Sequence, residues 1–408
     1  MNPGVIGLGR LTVLAAAVAV VVALCGSVLG LTPSDLRGVS LTTTATFTLI
    51  FIVPIVATAG AFAGATQRRI AGSLRSGVRH PARSALSVAA AQAMVGLFGV
   101  VLAAVIVMAT EDAWVLPHLP LLGVAALSLT AASLTGQALG RFVPVVIAAP
   151  LLLALGYVVM AVPAAMSSPL WLRHLFLVED CCSPEHALAP QVLIAQTILW
   201  GSLAVGALIM TLRRLPRVAL VAASVVVVVV GAQLAAVQVD DFDWSPTVPR
   251  TSELSCAQSD GVEVCVWPEH DEALDGLLTA AHEVARVGET YDLTVPSSYS
   301  EDTTSGAAPL VVHPDHLAQS DLAAAISMAI PGDPTRCEAP DGGIPGELVN
   351  AWYLLTSWWV DQTTGTPRPD LEAMWAKDYL TEATDTAARV RDLTAAIETC
   401  DPTMAPAP

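Results

Sequence analysis

The sequence predicts an α-helical polytopic membrane protein of about seven transmembrane helices, followed by a small α+β extracytoplasmic domain. Three observations carry this. First, 54% of the 408 residues are hydrophobic and only 13% are charged, with a mean hydropathy of +0.62. A soluble domain carries about 25% charged residues. Second, the charge is split. Residues 1–238 hold 12 arginines against 6 acids, a net of +6, whereas residues 239–408 hold 7 bases against 30 acids, a net of -23. Third, the first part contains seven apolar stretches of the roughly 20 residues that a membrane helix needs.

Those stretches are about 11–31, 43–65, 86–108, 119–139, 143–165, 191–212 and 217–238. The run VVVVVVG at 225–231 is β-rich by propensity, but it lies in an apolar run too long for a strand, and lipid forbids an unpaired strand edge, so it reads as helix. The first stretch is too long and too uniformly apolar for a signal-peptide core, and no clear small-residue cleavage site follows it; it reads as an uncleaved helix. Pro144, Pro150 and Pro163 are expected to kink the fifth span.

Orientation follows from the arginines, because cytoplasmic loops are rich in Lys and Arg. One phase puts Arg10, the 66–85 loop, Arg141, Arg213, Arg214 and Arg217 inside, ten arginines and no acid. The outside segments then hold Arg37 and Arg173 against six acids. The N-terminus is cytoplasmic in this reading and the C-terminal domain is outside the plasma membrane. Six of seven cysteines (Cys181, Cys182, Cys256, Cys265, Cys337, Cys400) fall in the outside segments, where disulfides persist. Cys256 with Cys265 would close a short loop and leave Cys337 with Cys400, but four cysteines permit three pairings. Cys181 and Cys182 pair with each other or with the domain.

The stretch TQRRIAGSLRSGVRHPARSA at 66–85 is the basic knot of an acidic chain. Arg68, Arg69, Arg75, Arg79 and Arg83 anchor topology, and the loop is long enough to be a docking surface as well. The spacing Ile70–Leu74–Val78 suggests a short amphipathic helix at the membrane face, ended near Pro81. Apart from Arg217 at the first position of the last one, the spans contain no Asp, Glu, Lys, Arg or His; away from their edges their amide side chains are Gln92, Gln137, Gln196 and Gln233, with scattered Ser and Thr. That argues against a proton-driven carrier and against carboxylate or His–metal intramembrane proteolysis. The single lysine, Lys377, precedes Asp378, so the chain has no Walker A loop of its own. Gly96, Gly99, Gly136, Gly140, Gly201 and Gly206 allow close helix packing, in the bundle or across a dimer seam. The apolar segment 166–182 reads as a short interfacial or re-entrant helix.

Residues 239–250 read as a linker, 251–400 as the domain and 401–408 as a disordered tail. Strands are expected at 262–267, 291–295 and 308–313, and helices at about 268–288, 314–330, 346–362 and 369–399. SPEH (183–186), WPEH (267–270) and HPDH (313–316) repeat a motif. Pro at a first helical position with an acid behind it is helix-initiation chemistry, which is the preferred reading. The alternative is a metal site drawn from Glu269, His270, His313 and His316, with His282 and Glu283 nearby in sequence. His282–Glu283 opens like a zincin motif, but Arg286 stands where the second His belongs. The aromatic run AWYLLTSWWV (351–360) has helical spacing and reads as core.

The layout as a whole, with its basic loop after the second span, no ATP site of its own and an added outer domain, resembles type-2 ABC exporter permeases. The lysine-poor, Ala/Val/Arg-rich composition and the VCVWPEH segment resemble actinobacterial members of that group. The resemblance implies a permease subunit of an ATP-driven exporter, working as a homo- or hetero-dimer. A separate cytoplasmic ATPase would contact the loop at Arg68–Arg83. Permeases of this kind have six spans; a seventh, 217–238, would put the C-terminal domain outside. No cofactor, nucleic-acid partner or enzymatic activity is implied. The alternative is a membrane-anchored sensor or immunity protein acting through its acidic outer domain. A third reading, a membrane transferase using Glu111 and Asp112, ranks last, because adjacent acids in a polar loop are usually only solvated.

Overall fold

The computed structural model describes residues 37–73, 81–110, 114–166, 168–176, 181–182, 186–211, 216–242, 245–251, 253–302, 304–312, 318–331, 337, 345–365 and 385–404. The chain divides into two compact units, Met1–Pro249 and Arg250–Pro408. The first unit holds α1 (Gly38–Thr46), α2 (Leu49–Ser73), α3 (Pro81–Thr110), α4 (Leu119–Phe142), α5 (Val145–Ala165), α6 (Leu170–Phe176), α7 (Pro190–Ile209) and α8 (Arg217–Val237). A two-stranded antiparallel sheet joins β1 (His186–Leu188) to β2 (Thr247–Pro249), which lies inside the expected linker.

Among the described residues six helices are long and apolar enough to cross a membrane: Leu49–Arg69, Ala82–Thr110, Leu119–Phe142, Val145–Ala165, Pro190–Ile209 and Arg217–Val237. The first expected span, 11–31, lies outside the described residues. Prolines set several starts. Pro81 and Pro190 open α3 and α7, Pro120 lies in the first turn of α4, and Pro144 and Pro216 stand at the caps of α5 and α8. Proline is at home there because its missing N–H would have had no helical partner. Pro150 and Pro163 lie inside α5.

The expected span 43–65 begins later, at Leu49. Threonine is the cause. Thr43, Thr46 and Thr48 turn their hydroxyls back onto the carbonyls of Ser40, Thr43 and Ala45, at 2.8, 2.8 and 2.7 Å. Such back-bonding competes with the helical ladder. Here the ladder tightens, and the Ile50 N–H bonds to the Phe47 carbonyl three residues back. α1 is therefore separate from α2.

α2 and α4 form the centre of the first unit. Two thirds of the α2 apolar window is buried against 17% for α5 and for α8. The seam is built from Gly60 and Gly64 on α2 and Gly136 and Gly140 on α4. A methyl group on any of the four would run into backbone: the Ser133, Gln137, Ala57 and Ala61 carbonyls respectively. Residues rise together along the seam, so the two helices are parallel. Backbones that close need residues without side chains. The expected glycine seam thus packs the bundle itself at Gly136 and Gly140, against partners on α2.

The second unit holds β3 (Ser255–Ser259), β4 (Val262–Val266), a 3-10 turn (Pro268–Ala273), α9 (Leu274–Thr290), β5 (Ser298–Ser300), β6 (Ala308–Pro309), α10 (Gln319–Ala329), α11 (Gly346–Thr364) and α12 (Thr386–Thr399). Its sheet runs β3-β4-β5-β6, antiparallel in the first pair and parallel in the others. Asp260 and Gly261 make the two-residue hairpin between β3 and β4, both at positive φ (47° and 84°). That is the backbone an Asp-Gly hairpin turn demands. Val264 and Val266 face a core completed by Leu277, Val284, Tyr299, Ile326, Leu354 and Trp359. Trp358 and Trp359 are buried, as a core reading of the aromatic run requires, while Tyr353 is exposed.

Several expected elements move. The 291–295 segment is no strand. It closes α9: the Tyr291 N–H bonds to the Val287 carbonyl and the Leu293 N–H to Gly288, at 3.2 and 2.8 Å. Leu293 and Val295 then pack on the core as a C-terminal cap rather than in the sheet. The strand comes later, at Ser298–Ser300, and the 308–313 strand shrinks to two residues. The helix expected at 268–288 opens as a 3-10 turn. Of the helix expected at 369–399, Thr386–Thr399 is described, with Asp385 as its cap accepting from the Ala388 N–H. In the described part of the tail Asp401 accepts from the Thr403 N–H in front of a short 3-10 turn. The interfacial helix shortens to the seven residues of α6.

Cys181–Cys182, Cys256–Cys265 and Cys337–Cys400 are disulfide-bonded. Cys256 and Cys265 are direct cross-strand partners of the hairpin.

Two stability measurements follow. Gly136→Ala should destabilise the chain by about 1–3 kcal/mol through overpacking, whereas Gly123→Ala, with open space around it, should be neutral or slightly stabilising. Thermal unfolding in detergent or nanodiscs compares them. The two disulfides of the second unit close separations of 63 and 9 residues. On loop entropy, paired Cys→Ser changes should cost roughly 4 kcal/mol for Cys337–Cys400 and roughly 3 for Cys256–Cys265, read by denaturant unfolding.

Candidate functional site

Five described arginines share one end of the first unit. Arg68 and Arg69 close the apolar part of α2, Arg141 ends α4, Arg83 opens α3 and Arg217 opens α8. Because α2 and α4 are parallel, their C-terminal turns meet, and the Arg68 Nη1 donates to the Arg141 carbonyl at 3.3 Å. Gln137 of α4 donates to the Ala85 carbonyl at 3.2 Å, which brings the start of α3 to the same end. Arg68, Arg69 and Arg83 are exposed; Arg141 is half-buried. Arg75 and Arg79 lie outside the described residues. The expected amphipathic helix at Ile70–Leu74–Val78 is corrected in part: through Ser73 the backbone simply continues α2.

A buried polar ladder runs inward from this end. Arg141 Nη2 donates to Gln67 Oε1. Gln67 Nε2 donates to Gln137 Oε1 at 3.3 Å, Gln137 Nε2 to Ser133 Oγ at 3.2 Å, and Ser133 Oγ to Gln92 Oε1 at 2.6 Å. Gln137 and Ser133 are fully buried and Gln92 is 7% exposed. Four helical positions on α4 and α2 supply this: Gln137 and Ser133 are one turn apart, and Gly64 lets the α2 backbone sit directly on Gln137. The sequence marked Gln92 and Gln137 as isolated polar residues. It gave no sign that they were linked, or that Gln67, Ser133 and Arg141 completed the chain.

The opposite end of the unit carries the remaining described arginines and the vicinal cysteine pair. Arg37 Nη2 donates to the carbonyls of Cys182 and His186, at 3.3 and 3.1 Å. Thr43 donates to the Cys181 carbonyl at 2.8 Å, and Gln196 Nε2 to the His174 carbonyl at 2.9 Å. Cys181 and Cys182 are each 1% exposed. Glu111 and Asp112 lie outside the described residues.

In the second unit the WPEH segment is a tied helix start. Pro268 opens the 3-10 turn behind Trp267. Arg250 lies over the Trp267 ring, 4.3 Å from its centroid, and grips Glu269 with two hydrogen bonds of 2.6 and 2.8 Å. His270 Nδ1 is 2.9 Å from both carboxylate oxygens of Glu301, and both side chains are nearly inaccessible. Glu301 also accepts from the Trp267 N–H at 2.8 Å. The weak metal candidates Glu269 and His270 are thus each bound to a protein partner, and His313 and His316 lie outside the described residues. Glu283 is held by Arg286 at 2.7 Å, one turn along an exposed face. Of SPEH only His186 is among the described residues, and it begins β1. Sequence reading missed Glu301 and Arg250, which carry no motif and act only through long-range pairing.

Burial pushes the Glu269 carboxyl up, but the Arg250 hydrogen bonds and charge, with a backbone hydrogen bond, outweigh it and hold the group below its ordinary 4.5. A depressed carboxylate stabilises the folded state above its unfolded pKa and loses that contribution as pH falls through the folded one. The stability of the Trp267 region should therefore decline as pH drops below 4.5. Glu269→Gln should flatten that part of the profile, followed by tryptophan fluorescence during unfolding.

Residues 264–398 match a family described as Domain of unknown function (DUF7224). No curated protein and no solved structure matches the chain. The matched residues lie within the second unit, and the family carries no assigned activity.

Proposed function

We propose that the chain is the membrane-spanning permease subunit of an ATP-driven exporter, energised by a separate ATPase subunit and working as a dimer. The observation that carries the reading is the arginine-bearing end of α2, α3 and α4. Its exposed cations stand beside the close-packed glycine seam that joins this end to the bundle centre. By the positive-inside rule this end faces the cytoplasm. The three cystines then belong outside or at the outer rim, where disulfides persist. The energy source is assigned to another polypeptide because the chain has no Walker A lysine. Apart from arginines at their ends, the candidate spans carry no Asp, Glu, Lys, Arg or His, which disfavours ion coupling.

A second reading, a membrane-anchored sensor or immunity protein, is favoured by one observation: the acidic part forms a compact unit with its own core. It needs no ATPase.

Co-purification from native membranes in mild detergent, with mass spectrometry, separates the two. A stoichiometric P-loop ATPase is expected. Charge reversal at Arg68, Arg69 and Arg75 (each to Glu) should abolish that association without loss of membrane assembly. Normal association in the triple variant, or no ATPase after cross-linking, would count against the permease reading.

A further inference from the structure

A small cavity lies in the first unit between α7, α4, α6 and the break between α1 and α2. Its lining includes Gln196 and Trp200 of α7, Ser128 of α4 and Thr46 at the end of α1, and Leu49, Leu121 and Phe176 close its apolar sides. Gln196 and Trp200 are one helical turn apart and share a face of α7. Gln196, Trp200, Ser128 and Thr46 are only 3, 5, 2 and 4% exposed. The room open to the centre of a water molecule is about 10 Å³. That is about the size of a single water site.

Two polar atoms of this lining have no protein partner. Gln196 Nε2 donates to the His174 carbonyl at 2.9 Å. A carbonyl can only accept, so the amide nitrogen is fixed there and Oε1 is the free end. Among the described residues nothing donates to that oxygen, and nothing accepts from Trp200 Nε1. Neither atom belongs to the fully enclosed atoms that lack a partner. Each therefore keeps open surface, and in residues this buried that surface is the cavity they line. Across it, the Ser128 and Thr46 hydroxyls give their protons to the Ala125 and Thr43 carbonyls, both at 2.8 Å, and keep lone pairs. The Thr46 carbonyl has also lost its ladder donor, because the Ile50 N–H bonds to Phe47 at the helix break.

We infer that one water molecule occupies this cavity, accepting from Trp200 Nε1 and donating to Gln196 Oε1. Its second proton is left for a Ser128 or Thr46 oxygen. An internal water makes about three such bonds, and cavities stay dry where their walls are apolar. Here an empty or apolar filling would leave a buried N–H and a buried carbonyl unmade, which is costly. An ion does not suit the site, because no lining residue is charged and a lone buried charge is costlier still. The water joins α7 to α4 and to the α1–α2 break, where threonine interrupts the helical ladder. The inference concerns how the first unit is held together, and it stands apart from how transport is energised.

The test uses the full chain in lipid nanodiscs, deuterated and ¹⁵N-labelled at tryptophan, with no ATPase present. Magnetisation transfer from water to the indole protons is measured by NMR, and Trp200→Phe assigns the Trp200 signal among the nine tryptophans. Trp359, whose Nε1 is fully enclosed, sets the background. Trp200 should show a water cross-peak several-fold above that background. Gln196→Met, which keeps the bulk and removes the amide oxygen, should bring it down to background. The Ser128→Ala, Thr46→Val double variant should keep it. A wild-type Trp200 signal no larger than that of Trp359 overturns the inference. So does a cross-peak to lipid methylene protons in place of water, or one that vanishes in the double variant, which marks relay through a hydroxyl. The wild-type comparison decides the matter even if the variants fail to assemble. Because no ATPase takes part, failure here leaves the permease reading untouched, and failure of co-purification leaves this site untouched.

Discussion

The backbone-on-backbone contact of α2 with α4 is the constraint on which the first unit rests. In lipid, apolar side chains gain nothing by leaving hydrocarbon for protein, so helices associate through close packing and hydrogen bonds. Gly60, Gly64, Gly136 and Gly140 make the approach as close as backbones permit. Everything at the arginine end follows. A wider seam would part Gln67 from Gln137 and Arg68 from the Arg141 carbonyl, and the parallel direction alone decides that those cations lie together. The peripheral α5 and α8 leave most of their surface to whatever surrounds the bundle.

The two units solve the problem of buried polarity differently. In the first, amides and hydroxyls form a chain with one charge at its shallow end. The charge stays half-exposed, which avoids the heavy cost of a lone ion at depth. In the second, carboxylates are paired with a guanidinium or an imidazole where they are buried or half-buried. His270 with Glu301 ties the start of α9 to the end of β5, and Arg250 with Glu269 clamps the same turn from outside. Glu301 also satisfies the Trp267 N–H. These contacts lock the WPEH residues at the start of the 3-10 turn, and they account for the inward direction of the His270 side chain.

The parts of the fold that were legible obey local rules. Span length and composition located α3, α4, α5, α7 and α8 to within a few residues, because apolar length is a local property. Cysteine placement was equally readable, since Cys256 and Cys265 flank an Asp-Gly turn that brings them face to face. The α1–α2 break was not read, although its signal, a run of threonines, is in plain view. The 291–295 segment misled because alternation of apolar residues is shared by strands and by helix caps that fold back on a core.

Composition, length and charge by themselves determined a bundle of apolar helices, an acidic α+β unit and a cluster of arginines at the bundle's ends. These follow from solvent preference, residue by residue. Only the tertiary structure decided which polar residues meet. Gln67, Gln92, Ser133, Gln137 and Arg141 come from three helices and up to 74 positions apart in pairing, and His270 finds Glu301 across 31. A hydrogen bond depends on distance and direction in space, and these are fixed by how closely glycine lets two helices approach and by which strand lies beside which.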